Sequence, residues 1–460
     1  MEDLKPYPKY QTTKLNWLNQ VPIDWDIKRT AALFHEKKTL NKEYQFKQAF
    51  QFKFGEIVNK KQIGTQEELK ETYQKYTIVD KDDIVINGLN LNYDFLTQRV
   101  GKVRERGIIT SAYISISPQK EEIEPRYACY LLKTLDNRKM LNGMGTGIRL
   151  TLSFPELKKQ YLPLPPLSEQ IQIANYLDYK VTLINKFIKD KKKEIILLKE
   201  QKQAEINQVV TKGINPDIVL VDSGLYWLGM IPEHWKVKRL KTFCDFVNRG
   251  CTPNYTENIS TKVVNQATFS KGYWDLKKVR YTTTNPIDNR GLLQQNDILI
   301  ASTGGGVLGK TYLFSENDTY IADSHVTVLR DSKQRFIPKF LYYYFSINYD
   351  LINGILAQGS TNQTELQREW LRSLKFAIPA IEEQQIIVNY LTNIEERIDR
   401  AISAIENEIT LIQDYKISLI SDVVTGKVDV RNIAIENTED EPEEDVEEME
   451  DTEEIENSEE

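Results

Sequence analysis

Two stretches of the chain repeat apolar residues on steps of three and four for many turns. Leu177, Val181, Ile184, Ile188, Ile195, Leu198 and Val209 form one series; Leu391, Ile394, Ile398, Ile402, Ile405, Ile409, Ile412, Leu419 and Val423 form the other. This heptad spacing lays a narrow apolar stripe along one side of a helix. Each series follows a proline, so each predicts one helix of roughly 45 residues, about 65 Å long. A lone helix cannot bury such a stripe. The economical arrangement packs the two helices on each other within the chain, antiparallel; a homo-oligomeric coil, or packing onto the chain's own modules, is the alternative.

Outside the stripes the period shortens. Asp83-Ile84-Val85-Ile86 and Asp297-Ile298-Leu299-Ile300 read as buried strands, and Asn87-Gly88 is a turn signal. Pro125 with Tyr127 to Leu132, and Pro338 with Phe340 to Phe345, read as core helices. These features come in pairs because the chain is duplicated. Trp17, Leu18, Pro22, Trp25, Lys28 and Arg29 return as Trp227, Leu228, Pro232, Trp235, Lys238 and Arg239, a shift of 210. Pro165, Glu169, Gln170, Asn175, Tyr176 and Leu177 return as Pro379, Glu383, Gln384, Asn389, Tyr390 and Leu391, and Val209-Val210-Thr211 as Val423-Val424-Thr425, a shift of 214. A near-constant offset means two homologous halves.

The fold expected is α+β: two homologous α/β modules separated by an antiparallel intramolecular pair of long helices, with pseudo-twofold symmetry. Residues 1–164 are assigned to the first module, 165–213 to the first long helix, 214–377 to a linker and the second module, 378–430 to the second long helix, and 431–460 to a disordered acidic tail.

Charge sharpens this division. The net charge of −7 conceals a tail, Glu436 to Glu460, holding 16 acidic residues and no Lys or Arg, so the remaining body carries +9. That mild basic bias permits a phosphate-binding surface without by itself arguing for one. The tail reads either as a solubilising appendage or as an acidic strip competing with DNA. No run approaches the roughly 20 apolar residues of a membrane span, and Met1 to Tyr10 lacks a signal-peptide pattern, so a cytoplasmic protein with no membrane association is expected. Cys129, Cys244 and Cys251, with His35, His234 and His325, offer neither a disulfide framework nor a zinc-ligand spacing. No metal, cofactor or catalytic residue is assigned.

Gly304 to Thr311 satisfies the phosphate-loop pattern GxxxxGK[ST]. The pattern requires a helix beginning at the Lys, whereas Thr311 to Phe314 alternates like a strand, so a glycine turn is the better reading. Gly101-Lys102 before the counterpart strand suggests the same turn in the first half. Such a loop could still bring Ser302, Thr303 and Lys310 within reach of DNA. In the first half Asn87, Asn90, Asn92 and Tyr93 follow the equivalent strand, with Arg99, Lys102, Arg104 and Arg106 close behind. Asn pairs bidentately with adenine and Arg with guanine, against the alternative of a solvated charged hairpin. Gly145-Thr146-Gly147-Ile148-Arg149 and Gly359-Ser360-Thr361-Asn362-Gln363 are corresponding loops, either backbone contacts through Thr146, Arg149, Ser360, Thr361 and Gln363 or tight turns. Asp80, Asp82 and Asp83 could mimic a metal site but read as a polar turn. Glu169, Gln170, Glu383 and Gln384 suit helix starts, and their recurrence adds a docking role.

Two similar but divergent modules on a helical spacer suit a reader of two unlike DNA half-sites. The phrases PPLSEQIQIANYLD and PAIEEQQIIVNYLT, with GLYWLGMIPEHWKVKRLKTF ahead of the second module, resemble the repeats of Type I restriction-modification specificity subunits. The resemblance runs to about Val430; the acidic tail departs from it, as do Asn19-Gln20 where Gly229-Met230 stand in the second half. It implies two target-recognition domains on double-stranded DNA, two methyltransferase subunits docked on the helices, two ATP-driven restriction subunits outside them, and no catalysis in this chain. Asn285-Pro286-Ile287 accordingly breaks the methyltransferase motif after two positions.

Overall fold

A computed structural model describes residues 4–53, 55–92, 98–147, 150–257, 261–283, 291–304, 306–349, 352, 357–358 and 365–435. The chain divides into two compact units. One comprises residues up to Lys191 together with those from Asn407 on, the other Lys192–Glu406.

In the first unit β1 (Phe34–Glu36), β2 (Ile84–Ile86), β3 (Val100–Lys102) and β4 (Ile114–Pro118) form an antiparallel sheet in the order β1-β4-β2-β3. Ile84, Val85 and Ile86 are all fully buried. A strand covered on both faces carries a continuous apolar run, which is why it was legible. The short helix α1 (Gln66–Tyr73) starts from a reciprocal Thr65–Glu68 capping box. Helix α2 (Pro125–Asn137) starts from Pro125, with the Glu124 carboxylate accepting the Tyr127 N–H at 2.7 Å, and buries Tyr127, Ala128, Leu131, Leu132 and Leu135. Asp26–Arg29 then pairs with Tyr161–Leu164, delivering the chain to the long helix α3 (Leu167–Lys212).

The second unit repeats the plan. Strands β5 (Phe246–Arg249), β6 (Ile298–Ala301), β7 (Thr311–Leu313) and β8 (Val326–Arg330) take the order β5-β8-β6-β7, α4 (Pro338–Ile347) stands where α2 does, and Lys236–Arg239 pairs with Lys375–Ile378 before α5 (Ile381–Val424). The outer strands differ. In the first unit the hairpin Phe50–Lys53/Glu56–Asn59 and the pair Thr77–Val79/Gly107–Ile109 stand with α1; in the second Tyr255–Thr256, Arg280–Thr282, Thr261–Val264 and Tyr320–Ala322 form one sheet.

Helices α3 and α5 hold 46 and 44 residues and each runs through both units. Within the first unit Ile173, Leu177 and Ile184 of α3 share a core with Leu419, Ile420 and Val423 of α5, and Lys416 donates to Asn185 at 3.1 Å. Within the second, Ile206, Val209 and Val210 pack with Ile387, Val388 and Leu391, and Tyr390 donates to Glu205 at 2.7 Å. Within each unit numbers rise on one helix as they fall on the other, so the helical segments pair within the chain and antiparallel, the economical arrangement for two such stripes. The exposed bridges Lys191–Glu408 and Lys202–Asp399, at 3.3 and 2.9 Å, add little beside that apolar seam.

The phosphate-loop pattern is a hairpin connection. Strands β6 and β7 pair antiparallel with Ile298 opposite Leu313, and Gly304, Gly306 and Gly309 take φ of +89°, +87° and +86°. Thr311 opens a strand, where a phosphate loop needs a helix. Gly101-Lys102 does not precede the corresponding strand but lies in it, Gly101 opposite Val85. The backbone counterpart of Lys310 is Arg99: Asn87 N–H bonds the Arg99 carbonyl at 2.8 Å as Ala301 N–H bonds that of Lys310 at 2.9 Å.

Candidate nucleic-acid interface

The loop after β2 carries the asparagines. Asn87 is half-buried, its Oδ1 accepting the Leu89 N–H at 3.1 Å, and Asn90 is exposed with φ +52°, a conformation Asn tolerates. Asn92 is half-buried, its Oδ1 buried without a partner. Arg99 differs from its assigned role as a DNA contact. It is 1% exposed, and its guanidinium donates to the carbonyls of Asn87, Leu89 and Asn90 at 3.1, 2.7 and 3.5 Å. The arginine therefore shapes the asparagine loop from beneath, because those carbonyls have no strand partner there. Lys102 is half-buried 3.4 Å from Asp82, while Arg104 is exposed with Glu56 at 3.6 Å. Thr146 is exposed and bridges Thr151 through two backbone hydrogen bonds, at 3.1 and 3.0 Å, closing the tight turn.

The corresponding loop of the second unit also splits. Ser302 is fully buried, bonded at 2.5 Å to the Thr327 hydroxyl, so it cannot meet a ligand as expected. Thr303 lies 2.7 Å from His325 Nδ1 and 3.3 Å from Gln266 Oε1. Lys310 is exposed, its ammonium 4.6 Å from the centre of the Tyr349 ring. Gln266 and His325 escaped sequence reasoning, since neither sits in a motif and the topology alone brings them to Thr303. Tyr93, Arg149, Ser360, Thr361, Gln363, Asn285 and the acidic tail from Glu436 lie outside the described residues.

Glu169, Gln170, Glu383 and Gln384 are joints of the fold. Glu169 is 7% exposed, and its Oε1 accepts the Tyr7 hydroxyl at 2.5 Å and Trp25 Nε1–H at 2.9 Å. Burial, and then the bond to Glu169, hold the Tyr7 phenol well above its ordinary range, so it stays a donor. Glu383 accepts Trp235 Nε1–H at 3.1 Å and lies 2.7 Å from His234 Nε2. Gln170 accepts the Glu124 N–H at 2.9 Å, and Gln384 the Ile337 N–H at 2.8 Å; these are the N-cap residues of α2 and α4. Thus the residues that recur in the sequence meet one another in each unit. The inward bonds give the recurrence a reason within the fold itself.

Asp80, Asp82 and Asp83 form the polar turn expected. The hydrogen bond from Lys37 holds the Asp80 carboxyl below its usual range, Lys120 bonds Asp82 at 2.8 Å, and Asp83 accepts from Ser117. Among the described residues no group of three or more His, Cys, Asp or Glu could hold a metal, and no helix is long and apolar enough to cross a membrane.

Residues 22–197 and 232–411 match the family model of the type I restriction modification DNA specificity domain. The type I restriction enzyme MjaVIII specificity subunit of Methanocaldococcus jannaschii is 25% identical over 375 residues, covering 78% of this chain and 82% of that protein. The EcoBI specificity subunit of Escherichia coli is 24% identical over 324 residues, 66% and 67% of the two chains. A chain solved in work on complex assembly and conformational transition of the type I R-M system superposes with a TM-score of 0.67 at 15% identity, covering 88% of this chain and 99% of its own. The HsdS subunit from Thermoanaerobacter tengcongensis gives 0.51 at 15% identity, covering 88% and 98%. Two matched copies across most of the length decide the class: the chain belongs to the type I restriction-modification specificity subunits, the non-catalytic DNA-recognition components of those complexes.

Proposed function

We propose that each unit reads one half of an asymmetric, gapped DNA site, and that α3 and α5 dock two adenine methyltransferase subunits, with two ATP-dependent restriction subunits outside them, in the cytoplasm. The observation that carries this reading is the duplicated core with unlike outer strands: one scaffold, used twice, bearing different loops. The Asn87 to Asn92 loop with Lys102 and Arg104, and the turns at Thr146 and at Thr303 and Lys310, are the surfaces assigned to DNA. Docking on the helices is supported by apolar side chains left outward, among them Leu411 at 70% and Ile386 at 60% exposure.

The test is a map of methylated adenines in DNA from cells expressing the chain with its modification subunit. A single bipartite motif is expected. Exchanging Trp17 to Leu162 for the matching block of a relative changes one half of that motif; a change in both halves, or in neither, refutes the modular reading.

A further inference from the structure

Gln266, Thr303 and His325 come from three separate segments of the second unit and meet outside any motif. Thr303 follows β6, and its backbone bridges to Glu365. His325 precedes β8; its N–H donates to Oδ1 of the buried Asp323 at 2.8 Å, and its carbonyl accepts the Ser302 N–H at 2.8 Å. Gln266 opens the short turn Gln266–Thr268, which Asn265 caps while donating its amide to the Lys278 carbonyl at 2.8 Å. The backbone under each side chain is therefore fixed. The side chains nonetheless reach solvent: His325 is exposed, and Gln266 and Thr303 are half-buried.

The Thr303 hydroxyl has one proton and two neighbours, His325 Nδ1 at 2.7 Å and Gln266 Oε1 at 3.3 Å. When that proton goes to Gln266, a neutral His325 must donate Nδ1–H to the Thr303 oxygen. The amide Nε2 then remains as a donor and the ring Nε2 as an acceptor, neither with a further partner among the described residues. Turning the amide and reversing both bonds exchanges the roles but keeps the pattern, one donor and one acceptor. Water could satisfy groups this exposed, so what the relay adds is orientation. Gly304 keeps a side chain away from the amide, since a Cβ there would stand 3.4 Å from Gln266 Nε2.

We infer that Gln266 and His325 are base-reading residues of the second unit, that Thr303 is the positioning residue aligning them, and that the base they select is adenine. In the major groove adenine is the one base offering both an acceptor, N7, and a donor, N6–H; guanine offers two acceptors. The inference rests on the half-site reading proposed above and names residues and a base within it.

The test uses the full chain assembled with its modification subunit. The methylation map supplies the motif, and the half that the Trp17 to Leu162 exchange leaves alone belongs to the second unit. Labelled duplexes then replace each A·T pair of that half by G·C in turn. At one position the parent should prefer adenine about ten- to a hundredfold. Gln266→Ala and His325→Ala should each lose most of that preference, with the other half of the motif still required and the melting temperature unchanged. Thr303→Val, which removes the hydroxyl, should lose it too, whereas Thr303→Ser should keep it. A half without any A·T pair overturns the proposal. So does an adenine preference that survives both alanine variants, or an affinity that falls equally for every duplex. Equal behaviour of Thr303→Val and the parent overturns the positioning role. A parent complex with no bipartite motif would instead strike the half-site reading itself.

Discussion

Replacing Glu169 separates a joint of the fold from a docking group for another subunit. One oxygen, Oε1, receives both the Tyr7 hydroxyl and Trp25 Nε1–H, and Tyr7, Trp25 and Glu169 are 5%, 1% and 7% exposed. In Glu169→Ala both donors remain buried with no acceptor. At about 1–3 kcal/mol for each orphan, the first unit should lose about 2–6 kcal/mol. Glu169→Gln keeps an oxygen in place and gives up only the charge, so about 1 kcal/mol is expected. Glu383→Ala is milder than Glu169→Ala, about 1–2 kcal/mol, because the His234 side chain is 49% exposed and turns to water, leaving only Trp235 stranded. Urea unfolding of the full chain, with hydrogen exchange read by peptide to locate the loss, gives the ranking. A Glu169→Ala chain as stable as its parent but unable to assemble with a methyltransferase subunit would refute the joint and restore docking.

Three further outcomes follow from single contacts. Gly426 has φ +74°, and a Cβ there would lie 2.4 Å from Pro22 Cδ, whereas Gly229 has φ +63° with nothing within 4 Å; Gly229→Ala should cost about 1–2 kcal/mol by backbone strain alone and Gly426→Ala clearly more, measured by thermal unfolding. Asp297 is fully buried against Arg330 at 2.5 Å, and burial already pushes its carboxyl up despite the arginine. Arg330→Met should cost about 3–5 kcal/mol near neutral pH. Because the folded-state value is the raised one, that deficit should shrink as pH falls and the carboxyl takes a proton; a deficit growing toward acid would contradict the account. ATP should show no Lys310-dependent binding by titration calorimetry, since Lys310 precedes a strand; binding lost in Lys310→Ala would revive the phosphate loop.

What the sequence disclosed depended on whether the deciding contacts were local or periodic. The heptad stripes, the apolar strands Ile84–Ile86 and Ile298–Ala301 and the proline-started helices each announce themselves within a few residues, and each stands where it was expected. The duplication then showed which residues recur without showing why. Trp25 and Glu169 lie 144 residues apart, and Trp235 and Glu383 lie 148 apart, so only the closed fold reveals that each pair is one hydrogen bond. The readers were harder still. Arg99 and Ser302 suit DNA by side-chain type, yet in a hairpin neighbouring side chains face opposite ways, and composition does not say which face is wet. The buried arginine contributes from the inside, tying down the carbonyls of the loop that presents Asn87 and Asn90. The divergent surface therefore requires a fixed interior beneath it, and substitutions that retune the target should fall on exposed Asn90 and the Phe50–Asn59 hairpin rather than on the arginine that shapes the loop.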